Sequence, residues 1–114
     1  MEERLSAAGG EILAEVRAGV ATVTLNRPEA LNALTFGMLQ ALVAWLEAWE
    51  NDERVDIVML RGAGDRAFCA GGDIREIHDR VRAGRDMYHF FEVEYALDLR
   101  IHTYPKPVVA LMDG

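Results

Sequence analysis

The sequence predicts an α/β fold, on three observations. Short strands rich in β-branched residues (20–25, 55–60 and 108–112) are spread along the chain. Between them lie segments whose apolar residues recur at three- and four-residue steps, the period of a helix. Gly and Pro mark the changes from one pattern to the other. Apolar strands joined through helices favour parallel pairing by crossover connections.

The elements follow in order. Residues 11–17 and 20–25 read as strands, and Ala18-Gly19 between them is a two-residue hairpin turn. Val20, Thr22 and Thr24 alternate with Ala21, Val23 and Leu25, so one face is more apolar than the other. Asn26-Arg27-Pro28 ends the strand, because proline has no N–H to donate to a ladder. Thr35 is an N-cap for a helix reaching about Asn51, with Met38, Leu39, Leu42, Val43, Leu46 and Trp49 as its core face. Val55 to Leu60 is the next strand, ended by Arg61-Gly62-Ala63-Gly64. Asp73-Ile74-Arg75-Glu76 carries a capping-box pattern opening a helix, and Gly84 interrupts it. A further helix spans about Arg85 to Ile101, stopped by Pro105 and Pro107, and Val108 to Met112 reads as a buried strand. The order is β-β-α-β-α-α-β without internal repeat.

Composition narrows the function. With 114 residues, 51% hydrophobic and 27% charged, the chain suits one globular domain. Nineteen acids against twelve bases give a formal charge of −7, which disfavours a nucleic-acid binder. Lys106 is the only lysine. The apolar run from Ala41 to Leu46 falls far below the ~20 residues of a membrane span, so no membrane partner is expected. Met1-Glu2-Glu3-Arg4 has no apolar stretch behind it and does not read as a secretory leader. A lone cysteine, Cys69, agrees with a reducing compartment, and a cytoplasmic location is the expectation. His78, His89 and His102 share no ligand spacing with Cys69, so no metal site is expected.

The segment 66–74 (Arg-Ala-Phe-Cys-Ala-Gly-Gly-Asp-Ile) sets small residues between a strand and a helix N-terminus. Ala70, Gly71 and Gly72 allow a ligand close to the backbone, and the helix start supplies unpaired N–H groups. Such a place suits a phosphate or an oxyanion developing on a carbonyl. On spacing alone it is equally a glycine-rich connection, and it is neither a P-loop nor a dinucleotide fingerprint. Cys69 has no adjacent base or cation to activate it and reads as a packed residue. Glu94 shares a helix face with Phe90, Phe91, Leu97 and Ile101. A carboxylate on an apolar face is costly unless paired or employed at a site, and pairing with an arginine is the alternative. Glu92, Asp79, Arg80, Arg82 and Arg85 read as solvated, while His102, Tyr104 and Lys106 fit a turn entering a strand, with a phosphate contact as the alternative for Lys106.

Three motifs, in order and covering nearly the whole chain, resemble the crotonase (enoyl-CoA hydratase/isomerase) superfamily. They are residues 26–34 (Asn-Arg-Pro-Glu-Ala-Leu-Asn-Ala-Leu), 67–74 (Ala-Phe-Cys-Ala-Gly-Gly-Asp-Ile) and 105–114 (Pro-Lys-Pro-Val-Val-Ala-Leu-Met-Asp-Gly). The resemblance implies the N-terminal half of the ββα spiral crotonase-like fold. Within the superfamily, Phe90-Phe91-Glu92-Val93-Glu94-Tyr95 and Ile101 to Pro107 are most similar to the branch that hydrolyses 3-hydroxyisobutyryl-CoA in valine breakdown. It implies that the Ala70 N–H donates to the thioester oxygen and that Glu94 binds substrate. Ala30, Leu31, Asn32, Phe68, Gly71, Gly72, Asp73 and Ile74 would border the coenzyme A path. No separate cofactor is implied, coenzyme A being part of the substrate; the family commonly forms trimers or hexamers.

The family pattern places a second oxyanion donor and further acids beyond the motif that holds Gly114. These 114 residues therefore read as the N-terminal portion of an acyl-CoA domain, expected to be inactive alone. An enoyl-CoA hydratase or isomerase is the alternative within the family. A non-catalytic module that binds coenzyme A or oligomerises is the alternative outside it.

Overall fold

A computed structural model describes residues 2–64, 68–69, 72–84 and 88–111, without the side chains of Ile74 and Tyr88. Its strands are β1 (Glu2–Ala7), β2 (Ile12–Arg17), β3 (Val20–Leu25), β4 (Ile57–Gly62) and β5 (Val108–Ala110); its helices are α1 (Phe36–Trp49), α2 (Ile74–Arg82) and α3 (Tyr88–Thr103). The strands form one sheet in the order β1-β2-β3-β4-β5. The first three are antiparallel, whereas β4 and β5 run parallel to β3.

The β2–β3 hairpin forms where the sequence places it. Ala18 (φ 51°) and Gly19 (φ 83°) are both left-handed, the backbone a two-residue turn needs to match the twist of its strands. Position 19 has a second reason for glycine: a Cβ there would stand 2.5 Å from Asp56 Oδ2. Ile12, Ala14 and Val16 of β2 and Ala21, Val23 and Leu25 of β3 point to one buried face. Against it pack Met38, Leu39, Leu42, Leu46 and Trp49 of α1 and Phe90 and Leu97 of α3. The Thr35 hydroxyl accepts from the Met38 N–H at 3.2 Å, capping α1 as expected. Val43 is only half-buried.

Several expectations need correction. Strand β1 was not legible, because Glu2, Arg4 and Ser6 are exposed and leave only a weak alternation with Glu3, Leu5 and Ala7. It pairs with β2 along its whole length, and its charges suit a sheet edge that should not recruit another strand. Arg54 fastens that edge to the turn after α1, lying 3.7 Å from Glu3 and 2.8 Å from Asp52. Donation from the Arg54 side chain and N–H holds the Asp52 carboxyl down at about 2. Strand β4 begins at Ile57 rather than Val55 and continues through Gly62, because parallel register with β3 extends to Leu25↔Gly62. Phe91 is 50% exposed: Phe90 and Leu97 turn inward, with Val93 and Ile101 half-buried beside them. Finally β5 is not buried. It is the outermost strand, with Val108 half-buried and Val109 and Ala110 exposed.

The turn into β5 closes α1 from below. The Tyr104 hydroxyl donates to the Leu46 carbonyl at 2.6 Å, and burial, then the nearby Glu50 carboxylate, push its phenol up against Arg100. Lys106 Nζ donates to the carbonyls of Trp49 (2.5 Å) and Asp52 (2.7 Å). A cation there satisfies carbonyls at and beyond the helix end and complements the helix dipole. The expected structural role of both residues is thus met. Lys106→Met, which keeps the aliphatic stem, is expected to lower unfolding stability by about 1–2 kcal/mol in urea titration.

Candidate active site

Because β3 and β4 are parallel neighbours, their carboxyl ends lie side by side, where α/β folds gather ligand-binding loops. The segment after β3 makes a short 3-10 turn (Pro28–Ala30) followed by Leu31 (φ 54°) and Asn32 (φ 57°), both left-handed. Asn adopts this backbone readily, but Leu does so at a cost on the order of 1 kcal/mol. Leu31 also leaves its side chain 38% exposed, and Ala30 beside it is half-buried.

Asn32 behaves differently from its expected place along a ligand path. It is fully buried, its Oδ1 accepts from the Arg27 N–H at 2.8 Å and its Nδ2 donates to the Ala63 carbonyl at 3.0 Å. The side chain therefore ties the turn after β3 to the end of β4.

The second motif docks onto the first. Gly72 forms a parallel bridge with Leu34, and the Asp73 N–H donates to the Leu34 carbonyl at 2.9 Å. Asp73 caps α2 by accepting from the Glu76 N–H at 3.1 Å. The capping box is only half realised, since Glu76 reaches across to α1 instead. Its Oε1 accepts from the Phe36 N–H at 3.1 Å and from Arg80 Nε at 3.2 Å. Arg80, expected to be solvated, lies 4.9 Å above the Phe36 ring, which also stacks on Phe90 at 5.9 Å. A carboxylate at the start of α1 and a cation over an aromatic face join α1, α2 and α3 at one corner.

Arg27, which spacing did not single out, is the centre of this junction. Its Nη1 donates to both the Ala33 carbonyl and Asp73 Oδ2, each at 2.8 Å. Its Nε lies 2.9 Å from Glu11 Oε2, near enough for an ion pair although off the line of the N–H. Both Arg27 and Asp73 are mostly covered, at 15% and 14% side-chain exposure. Burial pushes the Asp73 carboxyl up, but the Glu76 N–H and the Arg27 guanidinium more than offset it, leaving it below its ordinary value of 3.8. A carboxyl lowered in this way favours the folded chain above the ordinary value and loses that contribution as pH falls through the lower, folded one. The stability difference between the protein and Asp73→Asn is therefore expected to be constant near neutrality. It should shrink in acid below about pH 4, read by denaturant titration across pH.

Glu94 completes the described site. It is half-buried on α3, and its carboxylate borders Gly72. A methyl group placed on Gly72 would lie 3.7 Å from Ile77 Cδ1, 3.8 Å from Phe90 Cε1 and 3.9 Å from Glu94 Oε2. One apolar wall and one carboxylate thus flank the same stretch of backbone. Phe68 and Cys69 are half-buried against the core beneath it. Ile74 opens α2. Ala70 and Gly71 lie outside the described residues. On the outer side, Arg27, Asp73, Arg75, Glu76 and Arg80 line a groove of about 480 Å³. A groove of about 550 Å³ on the opposite sheet face, lined by residues including Leu13, Glu15, Thr22 and Arg61, contains none of the site residues. Among the described residues, no group of three or more His, Cys, Asp or Glu is gathered as for a metal ion. No helix among them is long and apolar enough to cross a membrane.

Known proteins match this arrangement. The family model described as enoyl-CoA hydratase/isomerase matches residues 20–114. The mitochondrial 3-hydroxyisobutyryl-CoA hydrolase of Danio rerio is 48% identical over 110 residues, covering 96% of this chain and 29% of that protein. The human protein of the same name is 41% identical over 108 residues, covering 94% of this chain and 28% of the relative. The chain therefore spans less than a third of these curated relatives, a smaller share than the expected half. Among solved structures, an enoyl-CoA hydratase from Rhodobacter sphaeroides superposes with a TM-score of 0.86 at 44% identity, over 91% of this chain and 32% of that one. A carnitinyl-CoA dehydratase from Mycobacterium thermoresistibile gives 0.85 at 46% identity, over 90% and 30%. The α/β architecture is the crotonase one, represented by its N-terminal part. With a family model matching residues 20–114 and a solved member superposing over 91% of the chain, the chain belongs to the enoyl-CoA hydratase/isomerase family.

Proposed function

We propose that the protein containing this chain hydrolyses a short 3-hydroxyacyl-CoA thioester, 3-hydroxyisobutyryl-CoA, to the free hydroxy acid and coenzyme A. The observation that carries the reading is the half-buried Glu94 carboxylate beside Gly72, on the helix whose sequence resembles that hydrolase branch. The names of the curated relatives support it. Water adds to the thioester carbonyl carbon, the C–S bond breaks, and the departing thiolate takes a proton. In this reading the Ala70 N–H meets the negative charge developing on the carbonyl oxygen, a contact whose loss typically costs ~3–4 kcal/mol in barrier. Glu94 accepts a hydrogen bond from the acyl hydroxyl and so holds the chain in register. Exposed Leu31 and the adjoining Ala30 contact the coenzyme A end, and the backbone of Gly71, Gly72 and Asp73 borders the path between. The second oxyanion donor and the group that activates water come from the remainder of the protein.

Association into a trimer or hexamer belongs to the same proposal. The expected cytoplasmic location is not supported by the relatives, whose names say mitochondrial.

The test is thiol release from 3-hydroxyisobutyryl-CoA by the longer protein, with crotonyl-CoA run beside it. Steady release from the first substrate alone is the expected result. Hydration of crotonyl-CoA without thiol release would replace the reading by a hydratase. Tight binding of coenzyme A with no turnover of either would mark a non-catalytic module.

A further inference from the structure

We infer that Arg27 is a positioning residue that sets the spacing between the two ends of the substrate path. The inference rests on the proposed function: the turn at Ala30 and Leu31 meets the coenzyme A end, and the Gly72–Glu94 region meets the acyl end. One guanidinium nitrogen holds both sides at once, through the Ala33 carbonyl that closes the turn and the Asp73 carboxylate that follows Gly72, each at 2.8 Å. The Nε side leans on Glu11, just ahead of β2, so the group is referenced to the sheet as well as to both loops. Loop-to-loop backbone contacts given by the bridge at Leu34 and Gly72 are short, whereas a planar guanidinium fixes direction as well as distance. An ion pair this covered brings little net stability, because desolvation offsets most of the attraction. Its consequence is geometric. A thioester pinned at one end by coenzyme A contacts reacts only if the other end is held in register, and displacement by about 1 Å can cost on the order of 100-fold in rate.

The experiment compares Arg27→Met and Arg27→Lys with wild type in the longer protein. It measures kcat and KM for the acyl-CoA, calorimetric binding of free coenzyme A, and the unfolding transition. Arg27→Met is expected to fold, to bind coenzyme A as wild type does, and to lose about 10- to 100-fold in kcat with little change in KM. Arg27→Lys, able to replace one nitrogen but not the fork, is expected to recover part of kcat. In an Asp73→Asn background the Arg27→Met effect should shrink, since the two act as one unit. A folded Arg27→Met protein with wild-type kcat overturns the inference, as does loss of coenzyme A binding in step with kcat. If Arg27→Met does not fold, Arg27→Lys decides: reduced kcat at constant KM supports the inference and wild-type kcat overturns it. Should wild type hydrate crotonyl-CoA and release no thiol, the hydrolase reading fails, and the same kcat comparison on hydration decides Arg27 independently.

Discussion

Glu94→Gln in the longer protein is expected to reduce thioester turnover on the order of 100-fold while the fold stays intact. The carboxylate stands half-buried at the edge of a wall formed by Phe90 and Ile77, beside the Gly72 backbone. The amide preserves shape and one acceptor but removes the charge. A hydrogen bond to a charged group contributes about 1.5–3 kcal/mol, roughly 10- to 150-fold in rate if it is made in the transition state. Steady-state kinetics on 3-hydroxyisobutyryl-CoA reads the effect, with thermal unfolding as the control. A folded variant turning over at the wild-type rate would take Glu94 out of the site.

Asn32→Ala is expected to be the costliest of the single changes for stability, at about 2–4 kcal/mol. The side chain is fully buried and answers two backbone groups, the Arg27 N–H and the Ala63 carbonyl. Alanine leaves both without that partner in a place water does not reach. It also puts an ordinary residue at φ 57°, a backbone that asparagine tolerates better. Denaturant unfolding measures the loss. Because Asn32 tethers the turn to the end of β4, coenzyme A binding by the longer protein should weaken in parallel. A change below about 0.5 kcal/mol, the range of ordinary surface substitutions, would contradict the bracing role.

Features that depend on neighbours a few residues apart are legible before any folding is considered. Gly19 marks its turn by backbone preference, Thr35 its cap, and the steps from Met38 to Trp49 the inward face of α1, since each is a local matter of sterics or period, whereas Ala18 takes its left-handed φ against its own preference. The same locality explains the misses. β1 takes its identity from pairing with β2, and the exposure of β5 follows from its place at the sheet margin. Glu94 was legible as a carboxylate out of keeping with its helix face, but its closeness to Gly72 was not. Asn32 was recognised within a motif, while its inward orientation needed the Ala63 carbonyl to be in place.

How the loops are held depends on partners distant in the chain. Arg27 finds Asp73 across 46 residues, Glu76 finds the start of α1 across 40, and Lys106 finds its end across 57. Such partners leave no periodic trace, because charged groups at these separations meet only after the parallel β3–β4 pairing and the packed helices have brought them together. The sequence therefore carried the family and the chemical types at the site. The relative placement of its two ends comes from hydrogen bonds and ion pairs that exist only in the folded chain, where burial makes an unmet polar group too costly to leave.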